Sequence, residues 1–322
     1  MLITCVAYEA GRKVADLDFP QISEYLERPG CFVWVALQDA TPQELQALGD
    51  EFGLHELAVE DASHGGQRPK IEEYGDTVFA VVRTVDLGPG DQLQLGEVDI
   101  FAGPNFAISV RNRSHHSLAA VRERAERSPE LLRNGSGFVL YALIDAVVDQ
   151  YFPVIEAFEA ELDAIEEQIF TSGTGRVNVE RLYALKRRST ALKHAVAPLL
   201  ESVAHLTQGR VPPVCESTRD YFRDVLDHLA RINALLDTLR ETIAMGVQVN
   251  LSMVTIEEAE TSKRLAAWAG IFALATVFAG VWGMNFRVMP ELNWAWGYPA
   301  ALAVMVASCA LLYRKFRQAG WL

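Results

Sequence analysis

The chain has 322 residues and a formal net charge of −13, from 29 Lys and Arg against 42 Asp and Glu. Such an acidic balance argues against nucleic acid as a partner. Half of the residues are hydrophobic, and the four cysteines are scattered without metal-ligand spacing. No charged segment followed by an apolar one marks a signal peptide, so we expect the large N-terminal part to remain in the cytosol.

Residues 1–135 are predicted to form a cytosolic α/β domain, with a mixed sheet and flanking helices. Five β-branched or aromatic runs, each bounded by turn-forming residues, predict its strands. A helix is predicted to begin at Thr41, a good N-cap, because Pro42 follows at the first helical position and Glu44 completes a capping box. The predicted strands are Ile3–Ala7, Phe32–Ala36, Thr77–Val85, Val98–Ala102 and Phe106–Val110.

Residues 136–210 are predicted to form a long antiparallel helix pair. The apolar residues take up a helical period between Gly137 and Phe170, and a second helical pattern runs from about Asn178 to His205. The first helix becomes acidic toward its end. Its carboxylates are interpreted either as a solvated face or as a surface that attracts cations.

Residues 211–263 are predicted to form a stalk helix that begins after Pro212 and Pro213. Its apolar residues follow a heptad seam, and no proline intervenes between Ser217 and Asn285. One helix could therefore cover those 69 positions and reach about 100 Å at 1.5 Å per residue. The apolar residues of the seam are Val225, Leu229, Ile232, Leu236, Leu239 and Ile243.

The C-terminal part is predicted to cross a membrane twice. Leu265–Met284 holds twenty residues without a charge, which is long enough to span a bilayer, and a second uncharged run follows. Basic residues flank both runs on the side away from their connection, so the positive-inside rule places both termini in the cytoplasm. The predicted segments are a first, pore-lining span at 264–285, an extracytoplasmic loop at 286–295, a second span at 296–313 and a basic cytosolic tail at 314–322.

Asn285, at the end of the first span, is the candidate residue for ion selection. Two spans cannot enclose a pore, so transport would require an oligomer in which several Asn285 side chains meet on an axis. Amide oxygens would hold the water shell of Mg²⁺ weakly enough for release. Thr276 and Leu265 fall near the same helical stripe, and Glu291 could add negative potential outside. On these grounds alone, Asn285 is as well interpreted as an ordinary residue at the C-terminus of a helix as it is as a filter residue.

Several motifs resemble those of the CorA family of magnesium transporters. The Gly-Met-Asn sequence within Trp282–Phe286 is followed by a Met-Pro-Glu-Leu loop, and further similarities lie upstream at the family's usual spacing. The resemblance covers nearly the whole chain. Its other motifs are Glu60–Asp61, Gln67–Lys70, Tyr141–Asp145, Tyr221–Val225, Met289–Leu292 and Trp296–Pro299.

The resemblance implies a funnel-shaped homopentamer in the bilayer of the cell inner membrane, passing hydrated Mg²⁺ down the membrane potential. Co²⁺ is a second candidate ion. Gly283, Met284 and Asn285 would form the selectivity filter, Thr276 a second polar ring and Leu265 part of a hydrophobic gate. The family usually has a bulky apolar residue where this chain has Ala273, so Trp268 or Phe272 could supply the constriction instead.

The resemblance also implies a regulatory divalent-cation site between subunits. Asp61 of one subunit and Asp224 of its neighbour would hold the ion, with Glu60 beside them, and high cytosolic Mg²⁺ would keep the channel closed. Mg²⁺ would then be both cargo and regulator. The competing interpretation is that these are solvated surface carboxylates.

Two other functions are weighed against magnesium transport. A zinc-transporting relative of the same superfamily would share the Gly-Met-Asn motif, although the Met-Pro-Glu-Leu loop favours magnesium. A membrane-anchored sensor or signalling protein would need a nucleophile or nucleotide motif, and the sequence has neither a P-loop nor a G-x-S-x-G elbow. We therefore expect a protein that is not an enzyme and takes no small-molecule substrate other than divalent cations.

Overall fold

The structure is a computed structural model, and it describes residues 2–114, 117–171, 173–208, 211–285, 289 and 294–322. The chain divides into two compact units. The first comprises Met1–Ile165 and Glu180–Ala244, and the second comprises Glu166–Val179 and Met245–Leu322.

The described part of the first unit contains one seven-stranded mixed sheet, with the strand order β2-β1-β3-β7-β6-β5-β4. Strands β3 and β7 pair in parallel, and every other neighbouring pair is antiparallel. All five predicted strands are confirmed, and β2 and β4 at the two edges were not predicted. The strands are β1 Leu2–Glu9, β2 Arg12–Asp16, β3 Cys31–Gln38, β4 Lys70–Tyr74, β5 Thr77–Leu87, β6 Leu93–Gly103 and β7 Phe106–Asn112.

Short helices lie beside this sheet. Helices α1 to α3 contribute to a buried core with one face of the sheet, through residues such as Ile22, Leu45 and Val59. The predicted capping box of α2 is confirmed, because Glu44 N donates to Thr41 Oγ1 at 3.2 Å and Thr41 N donates to Glu44 Oε2 at 2.8 Å. The helices are α1 Ile22–Leu26, α2 Pro42–Phe52, α3 Glu56–His64, α4 Ala119–Glu126 and α5 Pro129–Leu132.

The predicted helix pair is built from three helices. The first half of the pattern forms α6 (Ser136–Asp149) and α7 (Tyr151–Ile169), and the second half forms α8 (Gly175–Gln208). Helix α6 packs against β5, β6 and β7. Arg188 of α8 forms an ion pair with Glu161 of α7, and its guanidinium lies 5.3 Å from the centre of the Phe158 ring.

The prediction of one long C-terminal helix is confirmed. Helix α9 runs without a break from Arg219 to Trp282, 64 residues, after a short 3₁₀ turn at Pro213–Thr218. It ends three residues before Asn285. The heptad residues from Val225 to Ile243 are all buried, at no more than 3% exposure, which explains why that part of the pattern is so regular.

Two of the described helices have the character of membrane spans. The most apolar 18-residue stretch is 6% buried in the segment Pro213–Trp282 and 0% buried in α10 (Gly297–Gln318). A similarly apolar stretch in Ser136–Ile169 is 61% buried, because it packs into the protein core. Apolar surface this extended and this exposed belongs in lipid or against other membrane helices.

Strand β6 carries two buried carboxyl groups, Glu97 and Asp99. Asp99 is fully buried, and Asn112 Nδ2 donates to its Oδ2 at 3.0 Å. Burial raises the pKa of Asp99 well above its usual value, and the neighbouring Glu97 raises it further. The folded protein therefore holds a proton that the unfolded chain releases, and the stability contributed by this group falls as the pH rises through the raised pKa.

We therefore expect Asp99→Asn to stabilise the protein at pH 8 by on the order of 1–3 kcal/mol, and by less at pH 5. Thermal unfolding of the purified full chain in detergent at both pH values measures the difference. Asp76→Asn, at an exposed turn, is the control. A variant that is less stable than the wild type at pH 8 would contradict the expectation.

Candidate metal-binding and permeation sites

The three predicted filter residues follow the end of α9 directly. Gly283 N donates to the Ala279 carbonyl at 2.9 Å and Met284 N to the Val281 carbonyl at 3.4 Å, so the chain continues as a tight turn. A Cβ at Gly283 would lie 2.9 Å from the Ala279 oxygen, which explains the glycine. Met284 and Asn285 are exposed. Glu291, the predicted outer-loop residue, lies outside the described residues.

The predicted pore-lining side chains of α9 are largely uncovered within one chain. Leu265 is 67% exposed. Thr276 is also exposed, and its hydroxyl donates to the Phe272 carbonyl one turn earlier at 2.8 Å. Because this hydroxyl already donates a hydrogen bond within its own helix, it can face either lipid or water with little loss of free energy. This face is therefore free to meet other copies of the chain.

Within the second unit, α10 packs on another part of α9. The ring of Trp268 lies 6.2 Å from that of Tyr313, and Cys309 Sγ lies 3.9 Å from the Ile271 carbonyl oxygen. Phe316 lies within van der Waals reach of a Cβ built at Gly270. Trp268 also stacks on Phe272 at 6.1 Å between ring centres. Trp268, one of the alternative gate residues, therefore contacts the second span of its own chain.

Asp61, a predicted regulatory ligand, sits on α3 and has a partner in its own chain. Lys70 Nζ lies 2.8 Å from Asp61 Oδ2 and 2.6 Å from Glu72 Oε2. The side chains of Asp61 and Lys70 are each about a quarter exposed, at 25% and 26%. Any cation that binds Asp61 must therefore compete with a tethered ammonium group.

Glu60 is exposed at the preceding position of α3. Its backbone carbonyl oxygen lies 2.9 Å from His64 Nδ1, and its carboxylate remains on the surface. A carboxylate in that position can join a divalent-cation site only if another surface approaches it.

Asp224 lies on α9 with two further metal-ligating side chains. One ligand atom each from Asp145, Asp224 and His228 lies within 4.8 Å of the others, which is close enough for a single ion. Asp224 and His228 are one helical turn apart, and Asp145 comes from α6. Asp61 is not a member of this group.

The electrostatics of this group are those of crowded carboxylates. Asp145 has a side chain only 13% exposed, and burial raises its pKa, with a further increase from Asp149 and a decrease from Arg124. Burial raises the pKa of the neighbouring Tyr141 to about 12, and the charges of Asp145 and Asp224 act in the same direction. A divalent cation would relieve this repulsion. Carboxylates alone favour Mg²⁺, which prefers oxygen ligands. A group that also contains an imidazole can bind a transition metal such as Co²⁺ as well.

Asp145 and His228 were not predicted as ligands, although part of the signal was present. The spacing of Asp224 and His228 places both on one helix face. Asp145 belongs to a motif used above only for the family resemblance. Nothing in the sequence joins α6 to α9 at this point, so the third ligand required the tertiary structure.

The sequence model of the CorA-like Mg²⁺ transporter protein family matches residues 30–318. The chain belongs to the CorA family. Among curated proteins, it is 34% identical over 281 residues to the cobalt/magnesium transport protein CorA of Thermotoga maritima, covering 86% of this chain and 80% of that protein. It is 31% identical to the putative metal ion transporter YfjQ of Bacillus subtilis, with 92% of each chain covered.

Solved structures agree with this membership at the level of the fold. The complete CorA magnesium transporter of Methanocaldococcus jannaschii matches with a TM-score of 0.81 and 19% identity, over 100% of both chains. The full-length CmaX protein matches with a TM-score of 0.77 and 22% identity, over 98% of this chain and 97% of that one. The mixed-sheet domain, the long helix and the C-terminal apolar helix therefore constitute the CorA fold. CorA proteins are membrane transporters rather than enzymes.

Proposed function

We propose that the chain forms a homopentameric channel of the inner membrane that passes hydrated Mg²⁺, and also Co²⁺, down the membrane potential. The observation that carries the proposal is the unbroken α9, which bears Asp224 near one end and is followed at the other by Gly283, Met284 and Asn285. A continuous helix transmits a movement at one end to the other, because its backbone hydrogen bonds resist local deformation.

Permeation requires several copies of the chain. Five copies of α9 would surround the axis, with the Asn285 amide oxygens as the filter, Thr276 as a polar ring and Leu265 in the constriction. The exposed apolar surfaces of α9 and α10 support assembly within lipid. Lys263 and Arg264, which precede the apolar part of α9, together with the basic end of α10, support a cytoplasmic location for both termini.

Regulation would use the carboxylates of the first unit. Asp61 and Glu60 of one subunit would approach Asp224 of the next, where Asp145 and His228 already stand within 4.8 Å of it. A divalent ion at this position would hold two subunits together and keep the pore closed. When internal Mg²⁺ falls, the carboxylates repel one another and the ring loosens toward conduction.

Cation flux into liposomes that contain only this protein tests the proposal. With an inside-negative potential, we expect Mg²⁺ entry that stops when the potential is collapsed and that diminishes as internal Mg²⁺ is raised. Competition among Mg²⁺, Co²⁺ and Zn²⁺ separates a magnesium channel from a zinc-transporting relative. A membrane-anchored sensor would give no flux above that of empty liposomes.

Lys70 offers a test of the regulatory assignment of Asp61. If Lys70 neutralises Asp61 in the open channel, Lys70→Met should let Mg²⁺ bind more readily and should lower the internal Mg²⁺ concentration at half-inhibition. A partly exposed ion pair contributes about 0.2–1 kcal/mol, which corresponds to a change of roughly 1.4- to fivefold. Flux measured over a series of internal Mg²⁺ concentrations gives this value.

The control is Lys13→Met, which removes a more exposed ion pair with Asp16 elsewhere in the same domain. It should leave the inhibition curve unchanged. If the inhibition curve of Lys70→Met is also unchanged, the ammonium group of Lys70 and the ion do not compete for Asp61.

A further inference from the structure

A cavity of about 230 Å³ lies in the first unit between the sheet and α4, and none of its described lining residues is among those proposed for transport. Its walls come from β1, β3 and β7 on one side and from α4 and α6 on the other.

The register of the sheet places the polar residues of this cavity side by side. Strands β3 and β7 are parallel here, with Ala36 opposite Ser109 and Gln38 opposite Arg111. Arg111 Nη2 donates to Gln38 Oε1 at 2.7 Å, which holds the guanidinium against the sheet. Because Arg111 is only 9% exposed, its charge acts in a medium of low dielectric constant.

The side chains that line the cavity carry positive charge, whereas the whole protein is negatively charged. Two guanidinium groups, of Arg111 and Arg122, line it, and no carboxylate is among its described lining residues. The whole chain carries a net charge of −13. Glu126 lies just outside, 3.8 Å from Arg122 Nε, and accepts a hydrogen bond from Tyr8.

A buried indole in the wall has a donor that no described residue satisfies. Trp34 is 3% exposed, and its Nε1 has no acceptor among the described residues. Buried N–H groups of this kind are normally satisfied, and leaving one without an acceptor is destabilising. An acceptor atom in the adjacent cavity would satisfy it.

The remainder of the wall is apolar and opens to solvent at one edge. Leu143 is almost fully buried, and Leu118 borders it at the start of α4. Ile3 is 46% exposed and Ala119 is exposed, so a small molecule can enter from that side. The cavity thus has a cationic, donor-rich part and an apolar part.

We propose that this cavity binds a small organic anion, with a carboxylate head held by Arg111 and Arg122 and an apolar body against Leu118 and Leu143. A carboxylate matches a guanidinium in shape as well as charge, and its oxygens supply acceptors for the Trp34 Nε1–H. None of these residues is among those proposed for transport, and occupancy of the site is measurable without ion flux.

Fluorine NMR of para-fluorobenzoate with the full chain in lipid nanodiscs tests the proposal. We expect saturable broadening of the ligand signal, and we expect the neutral analogue para-fluorobenzyl alcohol to bind about tenfold more weakly or not at all. Inorganic phosphate, titrated in competition, should bind more weakly than para-fluorobenzoate because it lacks the apolar body.

Three variants locate the binding. Arg122→Gln removes one guanidinium and should weaken binding by about tenfold or more. Ala119→Phe keeps both arginines and fills the opening from an exposed helix position, so it should block binding without disturbing the fold. Arg127→Gln, at a side chain 79% exposed at the end of the same helix, should leave binding unchanged.

Two kinds of result would overturn the proposal. The first is an absence of saturable binding, or equal binding by the wild type, Arg122→Gln and Ala119→Phe. The second is inorganic phosphate or the neutral alcohol binding as tightly as para-fluorobenzoate, because the carboxylate with an apolar body would then not be the recognised chemistry.

Discussion

The Asn285→Ala variant is expected to lose Mg²⁺ uptake while it still assembles in the membrane. The amide oxygen at the end of α9 is proposed to contact the water shell of the ion, and Ala offers no acceptor in its place. The loss of one hydrogen bond to a charged group costs about 1.5–3 kcal/mol, or roughly tenfold to a hundredfold in rate. The change is repeated in every subunit around the axis, so uptake should fall to background.

Flux into proteoliposomes measures this effect, and size-exclusion chromatography of the same preparation establishes whether the assembly is retained. The matched control is Gln248→Ala, which removes an exposed amide from α9, earlier in the chain. It should transport as the wild type does. Normal uptake by Asn285→Ala would refute the filter assignment, and loss of assembly would mean that Asn285 serves packing.

Asn285→Asp distinguishes weak from tight binding at the filter. A carboxylate holds Mg²⁺ more strongly than an amide, and a site that binds too tightly slows release. We expect the Asp variant to bind the ion but to conduct more slowly than the wild type. Faster conduction would show that the neutral amide is not what sets the rate.

Much of the fold could be predicted because its central elements are apolar. Strands such as β5 and β6 are buried over most of their length, and their β-branched residues stand out in the sequence. The two strands that were missed, Arg12–Asp16 and Lys70–Tyr74, are the edges of the sheet. Edge strands commonly carry charges that discourage pairing with other chains, so they lack the apolar pattern that identifies a strand.

The candidate sites could be predicted only where one segment contains them. The Gly-Met-Asn sequence and α9 are contiguous, so both the filter hypothesis and the long helix followed from the sequence alone. The group of Asp145, Asp224 and His228 joins two helices that are distant in the chain. The contact between Lys70 and Asp61 likewise depends on how β4 lies beside α3. Such contacts are set by tertiary packing, which local patterns do not encode.

Asp224→Asn is expected to weaken the inhibition of transport by internal Mg²⁺. The proposed regulatory site has one part from each of two subunits. Asp224 would contact both parts, because it lies beside Asp145 and His228 of its own subunit and would face Asp61 of the neighbouring one. An amide keeps the shape but lacks the charge that attracts the ion. The loss of a charged interaction worth about 1.5–3 kcal/mol should raise the Mg²⁺ concentration at half-inhibition by roughly tenfold or more.

Asp220→Asn is the matched control, because that carboxylate lies one turn earlier on the same helix, with a side chain 89% exposed, and forms an ion pair with Arg223 of that helix. It should leave the inhibition curve in place. Unchanged inhibition in Asp224→Asn would exclude this carboxylate from the sensor.

Asp61→Asn and Asp145→Asn then test whether the ion is bound between two subunits or within one. If the ion bridges subunits, both variants should resemble Asp224→Asn, because each removes a ligand from the same ion. If Asp145→Asn alone does so, the ion is held within one subunit, and the closing of the pore must then follow from a movement of α6 against α9 rather than from a bridge between neighbours.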